Sequence, residues 1–314
     1  TGTLAHAALE RFFDAPSAPD PRAIRRRLRD VFAELEQREE FRAFFLDEAS
    51  RYRWGSTLRN LEQYLRVEMR RLAGSPYAPQ GQEVAFGPAW GNEVEIALPG
   101  RGVLELSGRI DRLDARTEGQ TTYGTVLDYK RSGRTGLPAT LERGLDLQLA
   151  AYLLFVRDRL GWQPAGGFYA PVLIPPVRAE SVRSDEENPL RIKVHGIFRR
   201  EEGERLDGGT GMLVGERGPS KQALDRDALD ALLETGRRHL ATYAHGLRSG
   251  WIAARPLEEK PGVTPCPNCE FAAACRFRER RDPLRRDPHE GMAPLEEPGA
   301  CSGSGPGSPS GGAP

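Results

Sequence analysis

Lysine is almost missing from this chain. Only Lys130, Lys193, Lys221 and Lys260 occur among 314 residues, so nearly all of the 45 basic residues are arginine. A GC-rich coding sequence produces such a bias, and each lysine is then a departure from habit. Cysteine is also scarce, and four residues exclude a disulfide-built scaffold. No stretch approaches the roughly 18 apolar residues of a spanning helix. Net charge is absent too: 45 basic and 45 acidic residues cancel. Bulk electrostatics therefore give no reason to expect nucleic-acid binding, and such a function must rest on a local site. What is present, 38% hydrophobic and 29% charged residues, suits a globular protein with room for a sizeable core. The first residues lack the pattern of a secretory leader. The chain begins at Thr1 rather than Met, so a piece of a longer polypeptide is expected.

Apolar residues recur at helical spacing from Leu4 to about Leu72. A first helix there is separated by the Pro-rich stretch 15–21 from a second over 22–46, and a third covers 57–72. Alternating segments at 83–86, 92–98, 103–114 and 122–130 then predict strands. A helix over 145–160 and a strand over 167–174 follow. Residues 177–222 are expected as a weakly ordered polar insertion, with one strand within 190–199, and 225–247 as an amphipathic helix. The tail is Gly, Ser and Pro. These segments divide the chain into an N-terminal helical part (1–80), a core (81–176), the insertion (177–222), a helix with a cysteine segment (223–281) and a disordered tail (282–314). The fold class is α/β, a mixed sheet flanked by helices.

The chemistry concentrates in Gly108-Arg109-Ile110-Asp111-Arg112-Leu113-Asp114 and Val126-Leu127-Asp128-Tyr129-Lys130. If these strands form a hairpin, facing residues have a constant sum of numbers. For Asp111 and Asp128 that sum is 239, which centres the turn between Gly119 and Gln120, where the turn residues independently lie. Facing residues have Cβ atoms about 5 Å apart, and two carboxylates so placed repel unless one is protonated or a cation lies between them. Alternation puts Asp128 and Lys130 on one face and Tyr129 on the other. Hard oxygen ligands at this spacing suit Mg²⁺ or Mn²⁺, and a neighbouring lysine supplies positive charge to a reacting phosphate. Asp114 is expected at the surface near the strand end. Downstream, Gln148 and Tyr152 are four residues apart on one helix face.

The pattern G-x-I-D-x-x-D, a strand with D-Y-K and a helix with Q-x-x-x-Y resembles the PD-(D/E)XK nuclease superfamily, in particular its RecB/AddB-like branch. The segment Gly2-Thr3-Leu4-Ala5-His6 matches that branch's G-x-x-x-H helix. The resemblance covers roughly residues 1–280 and implies a restriction-endonuclease-like fold. It implies His6, Asp111, Asp128 and the backbone carbonyl of Tyr129 as ligands of Mg²⁺ or Mn²⁺. Lys130 would be the catalytic lysine, and Gln148 and Tyr152 the accessory catalytic residues beside Asp111 and Asp128. Glu83 corresponds to an acidic residue that the branch often carries before the strand.

Cys266, Cys269 and Cys275 form a C-x2-C-x5-C segment leading into a short helix over 270–278. Such spacing wraps one metal centre, zinc or an iron–sulfur cluster. In AddB-like and Cas4-like nucleases a Cys upstream of the G-x-x-x-H helix completes a [4Fe–4S] site. Here it would precede Thr1. Zn²⁺ with His289 as fourth ligand is the alternative, and Cys301 in the tail is not preorganised. Arginines cluster at 25–29 and 276–286, either as solvated faces or as phosphate contacts.

The expectation is a Mg²⁺- or Mn²⁺-dependent deoxyribonuclease, acting as a single-strand exonuclease in double-strand-break repair and recombination. Its partners would be single-stranded DNA and an AddA-like helicase domain or subunit in the bacterial cytoplasm, with no membrane. No G-x-x-x-x-G-K-[ST] occurs. The alternatives are a non-catalytic DNA-end-binding or partner-docking module, and a Cas4-like nuclease of CRISPR adaptation.

Overall fold

A computed structural model describes residues 2–15, 20–100, 102–130, 138–172, 194–211, 213–215, 218–219, 222–278 and 281–292. Residues 293–314 of the expected tail, Cys301 among them, Arg280 and the stretch 173–193 lie outside the described residues. The chain separates into two units. The first comprises Thr1–Glu95 and Glu105–Leu240, the second Ile96–Leu104 and Ala241–Pro314.

In the first unit, α1 (Gly2–Phe13), α2 (Pro21–Glu36) and α3 (Glu48–Gly74) realise the helical periodicity. Asp20 caps α2 by accepting from the Ala23 N–H at 2.8 Å, with Pro21 in the first turn. Asp47 caps α3 through Ser50 N–H at 2.8 Å, so α3 starts well before the expected Thr57. The second helix also ends early. Its apolar pattern continues past Glu36, but Glu39–Phe45 form a 3-10 segment. The change of path packs Phe41, Phe44 and Phe45 against Trp54 in edge-on and tilted contacts, with ring centroids 6.1, 5.5 and 5.0 Å away.

The strands are β1 (Ala78–Phe86), β2 (Val94–Leu98), β3 (Gly102–Leu106), β4 (Gly108–Glu118), β5 (Thr121–Lys130), β6 (Gln163–Pro171) and β7 (His195–Arg199), then the short β8 (Val214–Gly215), β9 (Gly218–Pro219) and β10 (Ala223–Leu224). Between β5 and β6 lie α4 (Pro138–Glu142) and α5 (Gln148–Asp158), and α6 (Gly203–Asp207) and α7 (Arg226–Arg248) come later. A six-stranded mixed sheet has the order β1-β4-β5-β6-β7-β10. β5 runs parallel to β6 because the helical crossover returns the chain to the same end. The single strand expected over 103–114 is instead two, since β3 pairs with β2 and β4 with β1 and β5.

Helices cover both sheet faces. On one, α1, α2 and α3 enclose a core with Leu9, Phe12, Leu28, Leu65 and Tyr129. On the other, α5 and α7 pack Leu149, Leu153, Leu229 and Leu233 on Val126, Tyr169 and Ile197. This is the restriction-endonuclease-like α/β architecture, a mixed sheet between helices. The described half of the segment expected as an insertion belongs to it: β7 pairs with β6, and Phe198, Arg199, Glu202 and Leu206 are buried. Its charged residues are polar in sequence but paired in the fold, as in the Arg116–Glu202 ion pair at 2.5 Å. In the second unit, α8 (Ala272–Cys275) is shorter than the expected 270–278 helix.

Candidate active site

The β4–β5 hairpin turns at Gly119, whose φ of 61° needs a residue free of a Cβ clash. Its pairs run from Glu118↔Thr121 to Arg112↔Leu127, each with the expected sum of 239. One step beyond Arg112↔Leu127, the ladder gives way to side-chain contacts. Asp111 Oδ2 accepts from the Tyr129 N–H at 2.5 Å, and His6 Nε2 on α1 donates to the Tyr129 carbonyl at 3.0 Å. On the other side of β4, Glu83 lies between the pairs Gln82↔Arg112 and Val84↔Ile110, opposite Asp111. Its φ is 47°, a left-handed conformation that costs an ordinary residue about 1–3 kcal/mol. It brings the carboxylate to His6: Nδ1 lies 3.7 Å from Glu83 Oε1 and 3.4 Å from Asp111 Oδ1. His6, Glu83 and Asp111 each offer one ligand atom within 4.8 Å of the others.

Asp128 and Lys130 share the face that alternation assigns them, and Lys130 Nζ is 2.5 Å from Asp128 Oδ2. Gln148, at the start of α5, bridges the pair. Its Nε2 donates to Asp128 Oδ1 at 2.8 Å and its Oε1 accepts from Lys130 Nζ at 3.1 Å. The same Nε2 reaches Tyr152 Oη at 2.9 Å, and that hydroxyl donates to the Arg109 carbonyl at 2.7 Å. Lys130 also lies 5.4 Å over the Tyr169 ring.

Titration follows the crowding of charge. Hydrogen bonding to Asp111 and then to Glu83 pushes the His6 imidazole up to about 10, against the opposing effect of burial. Asp128 is pushed up to about 6, first by burial and then by the Asp111 charge, while Lys130 pulls it back. Burial raises Tyr152 to about 12.

The donors fit a divalent cation of the Mg²⁺ or Mn²⁺ kind. Carboxylates and a peptide carbonyl are the hard oxygen donors such ions take, and the imidazole adds one softer nitrogen donor. Octahedral coordination at about 2.1 Å puts adjacent donors about 3 Å apart; His6 Nδ1 lies 3.4 and 3.7 Å from the Asp111 and Glu83 oxygens, close to that size, while the Tyr129 carbonyl faces the other ring nitrogen, Nε2.

The structure thus gathers His6, Asp111, the Tyr129 carbonyl and Glu83, with Asp128, Lys130, Gln148 and Tyr152 alongside. Asp128 stands outside the tight three-residue group, its oxygens turned to Gln148 and Lys130. Glu83 is closer to the centre than its sequence context suggests.

Asp114 is corrected outright. It is fully buried, not at the surface. Arg112 Nε and Nη2 each bind it at 2.6 Å, and Arg71 Nη2 at 3.1 Å. Glu68 completes the cluster, 2.5 Å from Arg112 and 2.7 Å from Arg71. The available signal is an Arg and an Asp on one face of a strand flanked by apolar residues, where charge must be paired.

In the second unit, Cys266 is half-buried and Cys269 and Cys275 are exposed, all as free thiols. They are not among the groups of described residues whose ligand atoms converge, and three thiols are one short of four ligands. Of the arginines near the N-terminus, Arg25 pairs with Glu62 at 2.8 Å and Arg27 binds the Arg11 carbonyl at 2.7 Å. Beside the cysteines, Arg285 lies 5.2 Å over the Trp251 ring. No described helix is long and apolar enough to cross a membrane.

Residues 1–276 match the sequence profile of the PD-(D/E)XK nuclease superfamily. The chain is also similar to bacterial proteins that carry the name of one subunit of an ATP-dependent helicase/deoxyribonuclease. The relative from Caldanaerobacter subterraneus is 27% identical over 275 residues, covering 79% of this chain and 23% of the relative. The one from Desulforudis audaxviator is 29% identical over 266 residues, with 74% and 22% covered. For Symbiobacterium thermophilum the identity is 34% over 182 residues, with 54% and 15% covered. The chain therefore spans less than a quarter of the length of these relatives.

Proposed function

Because the chain belongs to the PD-(D/E)XK nuclease superfamily, we propose that it hydrolyses phosphodiester bonds of DNA at this site with Mg²⁺ or Mn²⁺. The observation that carries the reading is the meeting of His6, Glu83, Asp111 and the Tyr129 carbonyl beside a paired Asp128 and Lys130. His6, Asp111, Asp128 and the Tyr129 carbonyl would hold the ion, with Glu83 joining them. A bound divalent ion supplies Lewis acidity and a water of lowered pKa.

The chain's own groups do the rest. Lys130 presents a fixed ammonium to the charge that develops on the phosphate, which is worth most when it is already oriented. Asp128 and Gln148 hold that ammonium from two sides. Tyr152 fixes Gln148 and ties the start of α5 to the β4 backbone at Arg109. Solvent water is the nucleophile, and no side chain is consumed.

The relatives' names motivate the wider proposal. The chain serves as the nuclease part of a helicase–nuclease, with an AddA-like helicase partner. It acts as an exonuclease on single strands during double-strand-break repair and recombination, in the bacterial cytoplasm. Cys266, Cys269 and Cys275 bind a [4Fe–4S] cluster, or Zn²⁺, with a fourth ligand from outside this set. Iron and zinc analysis with a visible spectrum taken anaerobically decides between them.

The nuclease assignment is tested with end-labelled single-stranded and duplex DNA in Mg²⁺, Mn²⁺ or chelator. Metal-dependent degradation that disappears in Asp128→Ala and Lys130→Ala, with circular dichroism unchanged, is the expected result. DNA binding without any cleavage in Mn²⁺ would overturn it in favour of a binding module.

A further inference from the structure

Arg109 has no part in the reaction described above except through its backbone, which makes its side chain conspicuous. It stands two residues before Asp111 on β4, so the two side chains leave the same sheet face. The carbonyl of Arg109 is tied to the Tyr152 hydroxyl at 2.7 Å. Its side chain, by contrast, is 61% exposed, and its ion pair is loose, with Nη1 3.7 Å from Glu83 Oε2. Arg112, three residues further along the same strand, is instead held tightly by Asp114 at 2.6 Å. A rigid backbone thus carries a loosely held cation at the rim of the acidic group.

The geometry points to Arg109 as a binding subsite for a phosphate of the DNA strand, next to the phosphodiester that is cut. This deepens the nuclease reading and rests on it. Two residues along a strand displace a side chain by about 7 Å. A group at Arg109 therefore lies beside the acidic cluster rather than within it, which suits the neighbouring phosphate of a strand whose scissile phosphate faces Asp111 and Lys130. Guanidinium is the side chain whose planar fork matches two phosphate oxygens at once. Glu83 holds it over the site without saturating it. Once Glu83 is committed to a cation, the attraction on Arg109 weakens and the fork is released toward the strand. A cation next to a carboxylate group that would otherwise repel DNA also makes electrostatic sense.

The opposing view is that Arg109 only balances the charge of Glu83. The two are separated by comparing substrates with one phosphodiester and with many. The full chain and its Arg109→Met and Arg109→Lys variants are assayed on thymidine 5′-(4-nitrophenyl) phosphate and on a single-stranded oligothymidine. Binding of the oligothymidine is followed separately by fluorescence anisotropy in Ca²⁺ at several salt concentrations. Expected for Arg109→Met is a loss of kcat/KM on the oligomer about tenfold larger than on the single phosphodiester, carried mainly by KM. The slope of log affinity against log salt falls by about 0.7, one single-strand phosphate contact. Arg109→Lys restores the slope but not the full affinity, since it keeps the charge and loses the fork. Equal losses on both substrates, or an unchanged salt slope in Arg109→Met, overturn the subsite. Failure of the unaltered chain to cleave either substrate is a different result: it removes the nuclease reading itself.

Discussion

Replacing Arg112 by methionine should remove more stability than any surface change in this molecule. Arg112 is fully buried, makes two 2.6 Å contacts with Asp114 and one of 2.5 Å with Glu68, and lies 4.5 Å over the Phe13 ring. With Arg71 it forms a closed set of two cations and two carboxylates joining α3 to β4. Methionine fills much of the volume but leaves Glu68 and Asp114 facing Arg71 alone, a net buried negative charge. Breaking a buried pair from one side costs about 3–5 kcal/mol. The Glu68 carboxyl points the same way: burial acts to raise it, but the charges of Arg71 and Arg112 together bring it down to about 2, and Arg112 carries part of that effect. A loss of about 3 kcal/mol lowers Tm by about 6–12 °C in a unit of this size.

The pH dependence follows from the direction of that shift. A carboxyl depressed in the folded state contributes stability above its unfolded value of 4.5, and loses it as pH falls toward about 2. The gap between the unaltered chain and Arg112→Met is therefore full at pH 6–7 and narrows below pH 4.5. Urea unfolding followed by fluorescence at pH 7, 5 and 3 reads this directly. A gap under about 1 kcal/mol at pH 7, or one that stays constant down to pH 3, would refute the reasoning.

Three further outcomes are expected. Glu83→Gln weakens Mn²⁺ binding by about tenfold in isothermal titration calorimetry, because one anionic donor is lost from the group around His6; unchanged affinity makes Glu83 a bystander. Tyr152→Phe lowers kcat by about tenfold while leaving the fold intact, since it frees Gln148 and the Arg109 carbonyl, and full activity would show that Gln148 needs no such anchor. Phe41→Ala, which opens the ring cluster around Trp54, costs about 3–5 kcal/mol of unfolding free energy; a loss near zero would mean that the 3-10 segment does not support α3.

Much of the site was legible because strand geometry is simple. A period of two and a glycine turn fix the register as far as Arg112↔Leu127; one step on, Asp111 bonds the Tyr129 N–H while Asp128 turns to Gln148 and Lys130. The helix carrying Gln148 and Tyr152 was equally open to its periodicity. Other features depend on tertiary structure. The positive φ of Glu83 has no local signature in Gln82-Glu83-Val84. Asp114 reads as a surface charge because one of its partners, Arg71, lies 43 residues away on α3. The early start of α3 is hidden by Trp54, Gly55 and Ser56, poor helix formers whose place is decided by the Asp47 cap and by the phenylalanines packed on Trp54. In β7, Arg199 reads as polar although it is buried at the sheet.

The central claim is that an imidazole from α1, two facing strands and a peptide carbonyl make one divalent-cation site. An electron paramagnetic resonance titration of the full chain with Mn²⁺, in the absence of DNA, addresses it without relying on turnover. A bound ion is expected in the unaltered chain and is lost in Asp111→Ala. Mn²⁺ held equally by both proteins, or by neither, would contradict it.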